Sequence, residues 1–215
     1  MGFRVVCISR TIAAGGEVVG QVVSQRLGFR YVDEEVVGRA AEKAHVDPRV
    51  VAAAEHKQPL IKRLIESLAA TQGIPDPSGL MTGVTLAAYY QPGLAPNPLV
   101  SEDHRTLIRE TIGEIANEGS AVIVAHAASL ALTGRNDVLR VLITASPETR
   151  AQRLAQAGER DAVAAVAASD RERREYFKGF YNIKEELPTH YDLVINTDVL
   201  TPEQAVRLIL CIAES

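Results

Sequence analysis

The sequence predicts a three-layer α/β/α domain built on a five-stranded parallel sheet. Short apolar runs of strand length alternate with segments of helical period, the pattern of strands joined by crossover helices. The predicted helices also begin and end at capping residues. With 215 residues and 47% hydrophobic side chains, the chain can bury one full core.

Phe3 to Ile8 reads as the first strand. Gly16 to Leu27 follows as a helix with Val19, Val22, Val23 and Leu27 on one face, stopped by Gly28. Arg30 to Val32 is a short strand ending at Asp33, and a helix runs from there to about Ala44. Residues 45 to 100 differ in character. His45 to Gly73 has a helical pattern, whereas Gly73 to Val100 is broken by Pro75, Pro77, Gly79, Gly83, Pro92, Gly93, Pro96 and Pro98. Such a stretch is an exposed connector, a flap over a substrate pocket, or an arm that pairs with another subunit. Tyr89 and Tyr90 within it favour a packing role.

Ser101 then caps a helix with Glu102 and Asp103 in its first turn and Leu107, Ile108, Ile112 and Ile115 toward the core. Ala121 to Ala125 and Val138 to Thr144 are buried strands, and Ser146-Pro147 opens a helix to Gln156. Arg160 to Tyr181 is a long charged helical stretch, with or without a break. Leu193 to Asn196 is the last strand. Thr201-Pro202-Glu203-Gln204 is a capping box for a final helix with Ala205, Leu208, Ile209 and Ile212 inward. There is no internal repeat or low-complexity tract.

Several function classes are set aside by composition. A net charge of −4 leaves no electrostatic footprint for nucleic acid. No apolar run reaches membrane-spanning length. The first residues enter a strand directly without a signal-peptide pattern, so a cytoplasmic location is expected. Cys7 and Cys211 have neither metal nor disulfide spacing and read as buried, reduced thiols. The five histidines are scattered, and no metal centre is expected from them.

The segment Ile8-Ser9-Arg10-Thr11-Ile12-Ala13-Ala14-Gly15-Gly16-Glu17-Val18 lies between a strand and a helix, where a phosphate loop would sit. A loop of the form G-x-x-x-x-G-K-[ST] uses glycines for close backbone approach, lysine for the outer phosphates and a hydroxyl for magnesium. Here Arg10 takes the first glycine's place, Gly15 keeps the second, Gly16 replaces lysine and Val18 replaces the hydroxyl residue. The amides of Ala14, Gly15, Gly16, Glu17 and Val18 can still cradle an anion. Glu17 in the same turn repels one, or stabilises its own helix. Arg10 either folds over the loop in lysine's stead or pairs with a neighbouring carboxylate. Ser9 offers a hydroxyl to magnesium or caps the strand end.

Other stretches, taken together, resemble the nucleoside monophosphate kinases, and cytidylate kinase in particular. Asp33-Glu34-Glu35-Val36-Val37-Gly38-Arg39 is similar to a segment reading Asp-Thr-Gly-Ala-Met-Tyr-Arg in that enzyme. Ala145 to Arg153 resembles the approach to the lid, Asp170-x-x-Arg173 the lid's D-x-x-R, and Tyr191 to Asp198 the closing strand. The nearer likeness is to the divergent cytidylate kinase-like family, whose loop has the form I-S-R-x-x-G-S-G-G-R-E-I and already lacks the lysine. Its arginine stands where this chain has Glu17.

The resemblance implies a P-loop nucleoside monophosphate kinase fold over residues 1–215 as one domain. It makes residues 45–100 a divergent insert at the monophosphate-binding position and 158–182 a lid-like helical segment. It also implies that Asp33 and Arg39 contact the acceptor nucleotide. His126 stands near the place of an arginine that grips the acceptor phosphate. Arg171 and Arg173, with Arg174, Arg150 and Arg153 near them, would neutralise transition-state charge beside Arg10. ATP and Mg2+ would be the cofactors, and a nucleotide or related phosphorylated small molecule the partner. Three readings follow. The first is a cytidylate kinase-like phosphotransferase acting on a nucleoside monophosphate or related small molecule. The second is a catalytically degenerate binding or regulatory module. The third is a structural domain that oligomerises, for instance as a homodimer, through the proline-rich segment.

Overall fold

The computed structural model describes residues 2–45, 102–124 and 127–215. The expectations for the insert, Ser101, Ala125 and His126 lie outside those residues. Five strands, β1 (Val5–Arg10), β2 (Arg30–Val32), β3 (Ala121–Val124), β4 (Val138–Thr144) and β5 (Leu193–Asn196), form one sheet. Its order is β2-β3-β1-β4-β5, and each adjacent pair is parallel. Central β1 runs in register with β3 from Val5↔Ala121 and with β4 from Val5↔Val138 to Arg10↔Ile143.

Both faces of β1 are buried, as a parallel strand between helical layers requires. Val5 and Cys7 point into one core with Val36, Ile108, Ile112 and Ile115 from helices α2 (Glu35–Ala44) and α3 (Glu102–Glu118). Val6 and Ile8 point into the other. There they meet Val19 and Val23 of α1 (Gly16–Leu27) and Ile209 of the last helix, Pro202–Ala213. The period of two along the strand thus assigns its residues to the two layers. A third, small cluster of Ile12, Ala13, Leu154, Ala162 and Val166 packs the residues after β1 against α5 (Pro147–Gln156) and α6 (Ala162–Tyr181). A single helical turn, α4 (Ala128–Ala131), precedes β4, and a 3-10 turn, Pro188–His190, precedes β5.

Local signals set most boundaries. The Ser146 hydroxyl accepts from the Thr149 amide at the start of α5, and the Thr201–Gln204 capping box opens α7 (Pro202–Ala213). Three details differ from expectation, and one point left open, the continuity of the charged stretch, is decided. β1 ends two residues later than the apolar run, because Ser9 and Arg10 still pair with Leu142 and Ile143. The charged stretch forms one unbroken helix, α6, whose Asp161 cap accepts from the Ala164 amide. In α7 the inward face is Ala205, Val206, Ile209 and Ala213, so Leu208 is 43% exposed. The same phase exposes Cys211, while Cys7 is buried and its thiol pKa is pushed far up by burial. No helix among the described residues is long and apolar enough to cross a membrane.

Candidate functional site

From β1 the chain passes to β2 and β3 on one side and later to β4 and β5 on the other. That reversal opens a crevice at the C-terminal end of β1, where open α/β sheets bind ligands. The connection from β1 to α1 frames it. The Thr11 amide donates to the Ile143 carbonyl at 3.1 Å, and the Ala14 amide closes a tight turn onto the Thr11 carbonyl at 3.2 Å. Ala13 holds a left-handed φ of +61° and Gly15 one of +85°. Thr197 and Arg153 grip this turn from outside. The Thr197 hydroxyl donates to the Ala14 carbonyl at 2.9 Å, and Arg153 Nη1 donates to the Ala13 carbonyl at 3.0 Å.

Gly15 caps α1 without a side-chain hydrogen bond, and the first-turn amides of an α-helix have no partner within the helix. Glu17 fills that place from within. It is only 3% exposed, pairs with the Arg10 guanidinium, and is also held by its own backbone amide. Burial raises its carboxyl above the ordinary range, Arg10 pulls it down less strongly, and the charge of nearby Asp33 adds to the rise. Gly16 explains why no lysine occupies the next position. A Cβ there would lie 2.7 Å from Arg10 Cβ and 3.1 Å from its Cδ, so the arginine stem occupies the space that a longer side chain would need. The cation has moved from the start of α1 to the end of β1, and Glu17 then cancels it.

Two of the arginines expected to act near the lid, Arg173 and Arg150, are tied down in the same way. Arg173 donates from Nε to Glu186 at 2.7 Å, from Nη1 to the Arg10 carbonyl at 2.9 Å, and from Nη2 to Ser9 Oγ at 2.8 Å. Its guanidinium also lies over the Phe177 ring, 4.5 Å from the centroid. The Tyr191 hydroxyl donates to Glu186 and sits 3.3 Å from Ser9 Oγ. Burial alone would raise Glu186, but the bonds from Arg173 and Tyr191 outweigh it and hold the carboxyl below its usual range. Burial raises the Tyr191 hydroxyl. Arg150, 4% exposed, makes a two-pronged bond to Asp170 at 2.7 Å on each arm. Asp170 and Arg173 of the D-x-x-R pattern therefore anchor α6 to α5 and β1. Arg171 is exposed on α6.

Two other expectations concern the acceptor. Asp33 is half-buried at the end of β2, close enough to influence Glu17, and Glu34 follows it as the cap of α2. Arg39 is not in the crevice. It pairs with Glu35 and Glu118, and Glu118 also binds Arg30, the first residue of β2. That network lies at the N-terminal edge of the sheet, because α2 runs antiparallel to the strands and carries Arg39 away from Asp33.

The residues present do not fit magnesium-bound ATP. Val18 offers no oxygen, Ser9 is engaged by Arg173 and Tyr191, and Glu17 is committed to Arg10. Among the described residues, no group of three or more His, Cys, Asp or Glu is placed to hold a metal ion. The residues missed from sequence, Glu186, Tyr191 and Thr197, all act across more than a hundred and eighty positions or through a long-range arginine, with no local pattern to announce them.

Sequence comparison places residues 5–199 within the description "Cytidylate kinase-like family". The chain belongs to the cytidylate kinase-like family. Among curated proteins, none matches it. Among solved structures it is similar to an uncharacterized protein from Eubacterium ventriosum ATCC 27560, with a TM-score of 0.62 at 15% identity over 98% of each chain. It is also similar to shikimate kinase from Bacteroides thetaiotaomicron, with a TM-score of 0.52 at 14% identity over 98% of each chain. These likenesses show a P-loop kinase fold, a five-stranded parallel sheet between helical layers. Within this cytidylate kinase-like fold, the crevice keeps its backbone frame and has its loop charge balanced from inside.

Proposed function

We propose that this cytidylate kinase-like chain binds a phosphorylated small molecule, a nucleotide or a related phosphate ester, at the C-terminal edge of its sheet without transferring phosphate from ATP. The buried Arg10–Glu17 pair carries this reading. Phosphoryl transfer relies on fixed positive charge against the migrating phosphate. Arg10 meets that need only if it abandons Glu17, and Arg173 only if it abandons Glu186. The first step leaves a buried carboxylate unpaired, which is strongly unfavourable, and the second leaves partly buried Glu186 with only the Tyr191 hydroxyl.

Family membership and the helix start after Gly15, which has no side-chain cap, favour the second reading, an active phosphotransferase using ATP and Mg2+. Two assays on the full chain separate them. Thermal unfolding is followed with nucleoside monophosphates, sugar phosphates and ATP at millimolar concentration, since any ligand of the native state raises the transition. ADP release from ATP with magnesium is followed with each compound as acceptor. Stabilisation by a phosphate ester without ADP release is expected. Acceptor-dependent ADP release would establish the phosphotransferase instead, and no stabilisation by any compound would leave a structural or oligomerisation role.

A further inference from the structure

Beside the loop, a cleft of about 180 Å³ lies between Thr11 and the far half of α6. Arg150, Asp170, Arg173, Arg174, Phe177, Ile183, Lys184 and Glu186 complete its wall. Arg150 is neutralised by Asp170, and Arg173 by Glu186. Arg174 and Lys184 are exposed and have no ion pair among the described residues. Among the described residues the cleft therefore carries two cations without an ion pair on its rim, with Ile183 and Phe177 as its apolar lining. Among the described residues the Thr11 hydroxyl makes one long contact, 3.5 Å to Thr144 Oγ1, and so can still serve a ligand.

We infer that this cleft is the chain's phosphate-ester site, with Arg174 and Lys184 receiving the dianion, Thr11 adding a hydrogen bond and Ile183 covering the apolar part of the ligand. Size narrows the class. The space is small, about 180 Å³, and partly open to solvent. That suits a phosphate group on a few carbon atoms, whereas pockets enclosing drug-sized ligands run to roughly 300 Å³ or more. Charge points the same way, since two flexible cations around one small space match a dianion. The pairs Arg150–Asp170 and Arg173–Glu186 act here as rigid walls that hold α6 at a fixed distance from Thr11.

The inference rests on the reading of the chain as a binder of phosphorylated small molecules, and the test keeps the two apart. Glycerol phosphate and inorganic phosphate are titrated into the full chain, followed by calorimetry and by amide chemical shifts. Arg174→Ala and Lys184→Ala are exposed changes that leave the fold intact, which thermal unfolding verifies. Each is expected to weaken glycerol phosphate binding by about tenfold, the loss of one charge-assisted hydrogen bond. Lys184→Glu is expected to abolish it, and wild-type shifts should centre on Thr11, Arg174 and Ile183. Binding unchanged by these variants but lost in Arg10→Ala would overturn the site and leave the functional reading standing. Binding of nucleotides but not of glycerol phosphate would do the same. Binding of no phosphorylated compound would overturn both.

Discussion

Replacing Arg173 with methionine tests whether the lid-like helix is anchored rather than free. The guanidinium holds Glu186 through Nε and Nη2, both at 2.7 Å, and reaches the Arg10 carbonyl and Ser9 on β1. Methionine keeps contact with Phe177 but leaves Glu186 with only the Tyr191 hydroxyl. Breaking a buried ion pair by removing one partner costs about 3–5 kcal/mol. The side chains of Arg173 and Glu186 keep 21% and 19% of their exposure, so solvent screens part of that loss. The lower end, about 3 kcal/mol, is expected, which for a chain of this size lowers Tm by roughly 6–12 °C. Urea unfolding followed by circular dichroism, with calorimetry for Tm, reads both quantities. Arg173→Met with Glu186→Met should recover much of the loss, because no carboxylate is then left stranded. A single-variant loss under about 1 kcal/mol, the value of a surface pair, would refute the reasoning. So would additive losses in the double variant.

Three further outcomes follow from the same geometry. Gly16→Ala should cost about 1–3 kcal/mol in urea unfolding, because its Cβ would press on Arg10, and Arg10→Ala in the same chain should leave much of that penalty, since the 2.7 Å contact is with the Cβ that alanine keeps. Acid and base act oppositely on buried Glu17 and partly buried Glu186. Glu186 has a lowered pKa, so its stabilisation is complete above the usual carboxylate range and is lost as pH falls through its folded value. Glu17 has a raised pKa, so stability declines as pH rises from the ordinary range through its folded value. Unfolding across a pH series should show Glu186→Gln flattening the acid limb and Glu17→Gln removing the decline at higher pH. Thr201→Ala should cost about 1 kcal/mol, since its hydroxyl accepts from the Gln204 amide at 3.3 Å.

Much of the fold was legible because its signals are local. Val138 to Thr144 is an apolar run long enough to cross the sheet, and the caps at Ser146 and Thr201 lie within three residues of the amides they satisfy. Helix phase was less legible. In α7, Val206 and Leu208 are both apolar, and only packing against β1 and β4 decides that Val206 turns inward. At the site, the sequence left Arg10 with two alternatives, and the carboxylate that decides between them stands in the next helix turn. The D-x-x-R spacing correctly placed two charged groups together on one helix. Their partners, Arg150, Glu186 and Ser9, come from three other elements, so the pattern could not say whether they face a ligand or the protein. Arg39 kept a familiar spacing from Asp33, yet the first five residues of α2 suffice to carry it to the ion pairs with Glu118 and away from the crevice.

The central claim is that Glu17 holds the loop's cation away from any incoming triphosphate. Calorimetric titration of magnesium-bound ATP into the wild type and Glu17→Gln tests it most directly. The account predicts no saturable binding at the wild-type loop up to millimolar concentration. Glu17→Gln should bind at least about tenfold more tightly, through one charge-assisted bond regained from Arg10, and Arg10→Ala in that variant should abolish the gain. Micromolar wild-type binding that Glu17→Gln leaves unchanged would contradict it.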